Sequence, residues 1–247
     1  WGHYGLTLER AEKSGLNPKM FNSFLDGTKS GIEMAAVANA TGLTPAPGGL
    51  TFPACPVEKI ASTLIPESEG GKLHHKGQVE VISSRGRNGK DLENDLRWGV
   101  YVTFEAPSEY VERCFADYGL TTDASGKYSA LWRPYHLIGL ELGISVATAA
   151  LHGLPTGTPT GFRADVVACA KRHLAKGEVV DGEGGYTVWG RLMVAGDSLS
   201  LGAVPIGLAH GLTLQNPIDE NAVLKWSDVD IPDENASVAL ALRREME

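Results

Sequence analysis

Five side chains in FNSFLDGTKSGIEMAAVANATG, residues 21–42, are of types that do chemistry: Asn22, Asp26, Lys29, Ser30 and Glu33. Read as one helix at about 100° per residue, they fall within an arc of roughly 100°. Around them stand Phe21, Phe24, Leu25, Ile32, Met34, Ala35 and Ala36. Such a stripe is either the solvent face of an amphipathic helix or the wall of a site. A solvated face is usually dense in Lys and Glu, whereas this stretch holds one Lys, one Asp and one Glu. Asp26 and Lys29 stand at i,i+3 and Lys29 and Glu33 at i,i+4, so the three can neutralise one another. A lysine between two carboxylates is placed to polarise a carbonyl or relay a proton.

A second group lies in LWRPYHLIGLELG. Arg133 precedes Pro134, which suits a first helical position, and His136 then falls in the first turn. A guanidinium beside a helix N-terminus favours phosphate or carboxylate. The bland alternative is a surface arginine and a histidine packed in its own turn. In GGKLHHKG, His74 and His75 would point to opposite faces of a strand, so they cannot jointly grip a metal without a turn. A loop touching a ligand is the stronger reading of His74, and no metal is expected. DGEGG, residues 181–185, lacks the GxGxxG register and a following helix, and reads as a tight turn. GDSLSLG is not GxSxG, and no Ser/His pair marks a hydrolase.

The elements that must position these groups follow from turn and cap signals. Asn17-Pro18 reads as a helix start, with the helix running to Asn39 and stopped by Thr41-Gly42. After the loop TPAPGGLTFPACP, the segments GQVEVISS, RGRNGK and LRWGVYVTFEAP read as a β-hairpin turning at Asn88-Gly89. Ser108 caps a helix through PSEYVERCFADYGL, KYSALWRP is a short strand, and YHLIGLELGISVATAALHG reads as a largely buried helix. LPTGTPTG, residues 154–161, is a linker. Beyond it, short strands broken by Gly, Pro, Asp or Asn suggest a small all-β module. The expected fold class is α+β, with a mixed sheet and helices in residues 1–158 and the all-β module in 162–247.

Bulk properties bound the function. The chain has 247 residues, a net charge of −8, 30 Gly and 13 Pro. The acidic balance argues against nucleic acid and against an anionic membrane surface, while a few local cations can still bind a small anion. Cys55, Cys114 and Cys169 form no CxxC, so reduced thiols and a cytoplasmic location are expected. No apolar run reaches the roughly 18 residues of a membrane helix. The chain opens WGHYGLTLER, with no signal peptide and no initiator Met, so the expectation is the C-terminal part of a longer protein. Val100, Val102 and Phe104 alternate with Tyr101 and Thr103, leaving both sheet faces fairly apolar. Such a sheet packs on a helix layer or on a symmetry mate, so a homo-oligomer is expected.

The blocks DGTKSGIEMAAVANATGL, LRWGVYVTFEAP, WRPYHLIGLELGISVA and AKRHLAKGEVVDGEGGYTV resemble the homoserine-dehydrogenase-like NAD(P)-dependent oxidoreductases that end in a SAF (β-clip) domain. One branch is the deoxyxylulose-phosphate reductoisomerase-like enzymes of isoprenoid biosynthesis. The resemblance implies a substrate-binding and dimerisation domain followed by a SAF domain. It implies NAD(P)H bound mainly by an N-terminal Rossmann domain, or a partner subunit, absent from this chain. The isolated chain would then be inactive. It further implies that Lys29 donates a hydrogen bond or proton to the substrate oxygen, with Asp26 orienting it and Glu33 tuning it. Arg133 and His136 would hold the phosphate or carboxylate of a small anionic polyol, and Asn22, Ser30 and His74 would contact hydroxyls. A non-catalytic carbohydrate- or anion-binding protein of SAF type stands as the alternative.

Overall fold

The computed structural model describes residues 8–15, 17–137, 139–231 and 237–247. A short helix α1 (Leu8–Lys13) precedes α2 (Pro18–Leu25). Asn17 caps α2, its Oδ1 accepting from the amides of Lys19 and Met20 at 3.0 and 3.3 Å. Pro18 takes the first helical position, where a missing N–H costs nothing. The helix does not run on to Asn39. It ends at Asp26, Gly27 adopts φ 85, and α3 (Thr28–Thr41) starts afresh. That left-handed residue sets a corner between Asn22 and Lys29, so the five polar residues do not share one helical stripe. Gly42, at φ 86, closes α3 by returning its N–H to the Ala38 carbonyl.

The buried face of α3 is made of small residues, Thr28, Gly31 and Ala38. It lies on the antiparallel pair β3 (Ala164–Ala170) and β4 (Val188–Val194), in which Ala164 faces Val194 and Ala170 faces Val188. The approach is close because Gly190 has no side chain. A Cβ there would stand 2.7 Å from Val166 Cγ1 and 2.8 Å from Thr28 Cγ2. The Gly190 amide instead donates to Thr28 Oγ1 at 2.7 Å. Asn39 ties the far end of α3 to the start of β3. It accepts from the Arg163 and Ala164 amides at 2.7 and 3.0 Å and donates to the Ala164 carbonyl at 3.1 Å.

Every residue of β3 is buried; apart from Asp165 the strand is apolar, as a strand covered on both faces requires. Around it the chain makes isolated antiparallel bridges, Val167 with Pro205 and Cys169 with Val223 among them. Two helices complete this body, α7 (Ala195–Leu201) and α8 (Val238–Met246). Arg243 of α8 is buried against Asp165 at 2.8 Å, and Ser198 donates to the same carboxylate.

Contacts divide the chain into two compact units, Trp1–Leu50 with Pro159–Glu247, and Thr51–Thr158. One junction falls in the LPTGTPTG linker. The other, at Leu50, arises because α3 is the layer that covers β3 and β4, which joins the N-terminal helices to the C-terminal segment.

In the Thr51–Thr158 unit, β1 (Val100–Glu105) pairs antiparallel with β2 (Tyr128–Arg133), Val100 opposite Arg133 and Glu105 opposite Tyr128. The helix α5 (Glu109–Asp117), capped by Ser108, connects them. The core gathers Cys55, Leu73, Leu96 and Ala130 with Ile60, Ala61 and Leu64 on and beside α4 (Ile60–Thr63). The expected hairpin between GQVEVISS and β1 is absent. Asn88-Gly89 does turn the chain, and Arg85 bridges Asp91, but the arms extend no further. The backbone there serves Glu80 instead. This buried carboxylate accepts from Thr51 Oγ1 at 2.8 Å and from the amides of Thr51, Phe52 and Val81.

The helix expected to be buried, α6 (Leu142–His152), starts eight residues later than Pro134 and buries none of its residues. Its half-buried positions are Ser145 and Thr148, and Ser145 Oγ lies 3.0 Å from Thr156 Oγ1. Both units therefore mix helices with small antiparallel strand pairs, an α+β fold. Among the described residues no helix is long and apolar enough to cross a membrane.

Candidate functional site

Lys29 stands one residue inside α3, just past the Gly27 corner. Its Nζ lies 2.5 Å from Glu33 Oε1, with the two side chains 29% and 44% exposed. The same ammonium sits 5.9 Å from the centre of the Phe24 ring, and Phe24 itself is exposed. The group therefore combines one cation, one carboxylate one turn away and an aromatic face at the edge of solvent. Its ammonium can donate to a substrate oxygen while Glu33 balances its charge. Ser30 is half-buried beside it. Phe24 had been counted only as part of the apolar wall.

Asp26 does not face Lys29. Its Oδ2 pairs with Lys171 at 2.7 Å, with side chains 4% and 18% exposed, and its Oδ1 accepts from the Thr28 amide at 2.9 Å. The Gly27 corner is the reason: it breaks the i,i+3 relation, and Asp26 becomes the C-cap of α2. Lys171 also donates to the Gly185 carbonyl at 2.7 Å. Asn22 is buried and donates to the carbonyls of Gly184 and Gly185 at 3.0 and 3.1 Å. Asn22 thus holds the 181–187 loop and does not reach outward to a hydroxyl. Lys171 carries a sequence signal that went unread. A lysine directly after the apolar stretch VVACA at the end of β3 is drawn below the surface and needs a carboxylate.

The 181–187 loop is closed on itself. Burial alone would raise the Asp181 carboxyl, but the Thr187 hydroxyl and the amides of Tyr186 and Thr187 hold it below the usual range. A Cβ at Gly184 would stand 1.9 Å from the Lys19 carbonyl, so the neighbouring chain already fills that side.

The second candidate group belongs to the other unit. Arg133 is the last residue of β2 and does not precede a helix, because its pairing with Val100 extends the strand to Pro134, which ends the ladder. Its guanidinium pairs with Glu141 and lies 4.6 Å over the Tyr135 ring. The Leu137 amide, at 3.1 Å, and then Arg133 hold the Glu141 carboxyl below the ordinary range. The His136 amide and Nδ1 both contact the Trp98 carbonyl, at 2.9 and 2.8 Å. A carbonyl only accepts, so Nδ1 carries the proton. His74 and His75 do not point apart: the chain bends there, and their Nδ1 atoms stand 3.2 Å from each other. Burial, then His74, lowers the His75 pKa. Asn22, Asp26, Lys29, Ser30 and Glu33 lie in one unit, and His74, Arg133 and His136 in the other.

Among the described residues no group of three or more His, Cys, Asp or Glu is placed to hold a metal. Among the described residues the junctions β1 to α5 and β4 to α7 carry no glycine-rich turn, and in the DGEGG loop the Asp181 carboxylate serves Tyr186 and Thr187 while Asn22, Lys171 and His210 take the loop's carbonyls.

An α+β body with a solvent-edged lysine–carboxylate pair is compatible with oxidoreductase chemistry, and comparison by sequence gives the class directly. The family model described as oxidoreductase DRL, catalytic domain, matches residues 4–142. The match covers more than half of the chain, and the chain belongs to this oxidoreductase family. A search of curated protein sequences gave no match.

Proposed function

We propose that this chain is the substrate-binding part of an NAD(P)-dependent oxidoreductase of homoserine-dehydrogenase-like or deoxyxylulose-phosphate-reductoisomerase-like type. Its substrate is a small phosphorylated or carboxylated polyol. One observation carries the reading: within the segment matched by the oxidoreductase family, Lys29 presents its ammonium at the edge of solvent with Glu33 at 2.5 Å. The nicotinamide is taken to be bound mainly by a Rossmann part of the same polypeptide or by a partner subunit. Residues 162–247 are read as the SAF module, and the protein as cytoplasmic.

In this reading Lys29 donates a hydrogen bond to the reacting oxygen of the substrate and stabilises negative charge as it develops there. Glu33 keeps the ammonium aimed. Asp26 acts through Lys171, holding the corner from which α3 starts, and is a positioning residue. Arg133, within the Thr51–Thr158 unit, takes an anionic group by exchanging Glu141 for it, a two-point exchange that a guanidinium fork suits. His136 orients that turn, and Ser30 and His74 are the hydroxyl contacts.

The test is turnover by the complete enzyme, followed as nicotinamide absorbance over a panel of phosphorylated and carboxylated polyols. Lys29→Ala is expected to lower kcat by about 10²–10⁴-fold while leaving the thermal midpoint within a degree or two. Arg133→Ala is expected to raise KM more than it lowers kcat. Near-normal kcat in Lys29→Ala rejects the assignment.

A further inference from the structure

The turn at Asn88-Gly89 has no part in the proposed reaction. It is closed by two hydrogen bonds: the Gly86 amide donates to the Lys90 carbonyl and the Gly89 amide to the Gly86 carbonyl, both at 2.9 Å. Gly89 takes φ 76, a conformation that suits a residue without a side chain. Asn88 and Gly89 are both exposed. Asn88 Oδ1 accepts from the Lys90 amide at 3.1 Å, so the side chain folds forward along the chain past the Gly89 peptide. A Cβ added at Gly89 would meet nothing within 4 Å, so no neighbour crowds that peptide. Arg85, Arg87 and Lys90 place three cations on the turn, and Asp91 pairs with Arg85 at 2.8 Å.

We infer that Asn88 is a site of spontaneous covalent modification, deamidating in the native chain ahead of the other described asparagines. The Gly89 nitrogen gives its proton to hydroxide and attacks Asn88 Cγ. The bond from Cγ to Nδ2 breaks, ammonia leaves with a proton from water, and a five-membered succinimide closes. Water then opens the ring at either carbonyl, leaving aspartate or isoaspartate. The balance is one water in and one ammonia out, with no change of oxidation state. The Lys90 amide stabilises the negative charge that develops on Oδ1, as an oxyanion-hole donor does. The three cations favour the deprotonated nitrogen. The bond from Gly89 to Gly86 must open first, and in an exposed turn water replaces it at small cost. Other asparagines lack these conditions. Asn17 and Asn216 precede prolines, whose nitrogen has no proton to lose. Asn22 and Asn39 sit in α2 and α3 with Nδ2 bonded to carbonyls, and Asn94 gives its Nδ2 to Glu58. Asn221 precedes Ala222, whose Cβ shields the nitrogen. Either product adds a carboxylate among Arg85, Arg87 and Lys90, and isoaspartate lengthens the turn's backbone by a methylene.

The test is peptide mass mapping of the chain held at 37 °C for several weeks, native and in urea, with isoaspartate read by enzymatic carboxyl methylation. The peptide containing Asn88 is expected to gain about one mass unit, the replacement of NH2 by OH. Its native rate is expected to lie within about tenfold of the unfolded rate, because the turn opens locally. The rate should climb about tenfold per pH unit around neutrality, as loss of the amide proton requires. Asn88→Ser should abolish the methylation signal with an unchanged circular dichroism spectrum. An Asn88 that converts in urea but stays intact in the native chain would show that the bond to Gly86 protects it, and overturns the inference. A native-chain mass gain shared at similar rates among the other asparagines overturns it as well.

Discussion

Thr28 shows what one hydroxyl does when two elements meet closely. It is buried, and its Oγ1 receives the Gly190 amide at the point where α3 lies on β4. Thr28→Val keeps the shape and leaves that amide unpaired, so the unfolding free energy is expected to fall by about 1–3 kcal/mol in urea titration. A loss below experimental error would mean that the bond is not formed. Around Tyr128, Lys76 and Lys127 each bridge Glu69 and Glu105 at 2.7–3.3 Å. Tyr128 and then Lys127 pull the Glu69 carboxyl below its ordinary 4.5, and Lys127 followed by Lys76 does the same for Glu105. For carboxyls depressed on folding, the stabilisation is present above the unfolded pKa and is lost as pH falls through the folded one. Urea midpoints of the chain should therefore decline as pH drops below about 4.5, and Lys127→Met should flatten that decline. Burial raises the Cys55 pKa and pushes Cys169 up to about 11, leaving Cys114 the more accessible thiol. A thiol reagent is expected to titrate one cysteine quickly in the native chain and three after unfolding.

The corner at Gly27 decides which polar groups can work together. At φ 85 a side chain is strained, and Gly27→Ala is expected to cost about 1–2 kcal/mol. It should also disturb Lys29, which follows two residues later. An unchanged midpoint would show that the corner straightens without cost. Several elements could be read from residues alone, because their signals are local. Asn17-Pro18 starts a helix, Ser108 caps another, Thr41-Gly42 stops α3, and KYSALWRP is β2. The misses have separate causes. Asp26-Gly27 is itself a turn signal, but the 3.6-residue period on either side masked it. The hairpin failed because strand pairing is non-local. β1 finds β2 beyond α5, while the segment expected to pair with it bridges residues 53–55 through Ser83 and turns its Glu80 to Thr51. α6 failed because an apolar sequence was equated with a buried one.

At the scale of the whole chain, its first and last segments build one body, with Thr51–Thr158 set into the sequence between them. No local signal announces this, since Asn39 on Ala164 and Thr28 on Gly190 join residues more than a hundred positions apart. Native-state hydrogen exchange should then find α3, β3 and β4 opening with a shared free energy. Gly190→Val should lower protection in all three together. Independent exchange of α3 would show that it is only appended.

The role of α3 as the cover of a distant strand pair was not legible in the sequence. Of the candidate site, the residue types and the Lys29–Glu33 pair were legible, whereas the partner of Asp26 required the fold. The most direct measurement is chemical rescue of Lys29→Ala in the complete enzyme. If the Lys29 ammonium serves the reacting oxygen, added ethylammonium should restore turnover in a saturable, concentration-dependent way, without effect on the unsubstituted enzyme. An inactive variant indifferent to every amine, or one that needs none, would contradict the account.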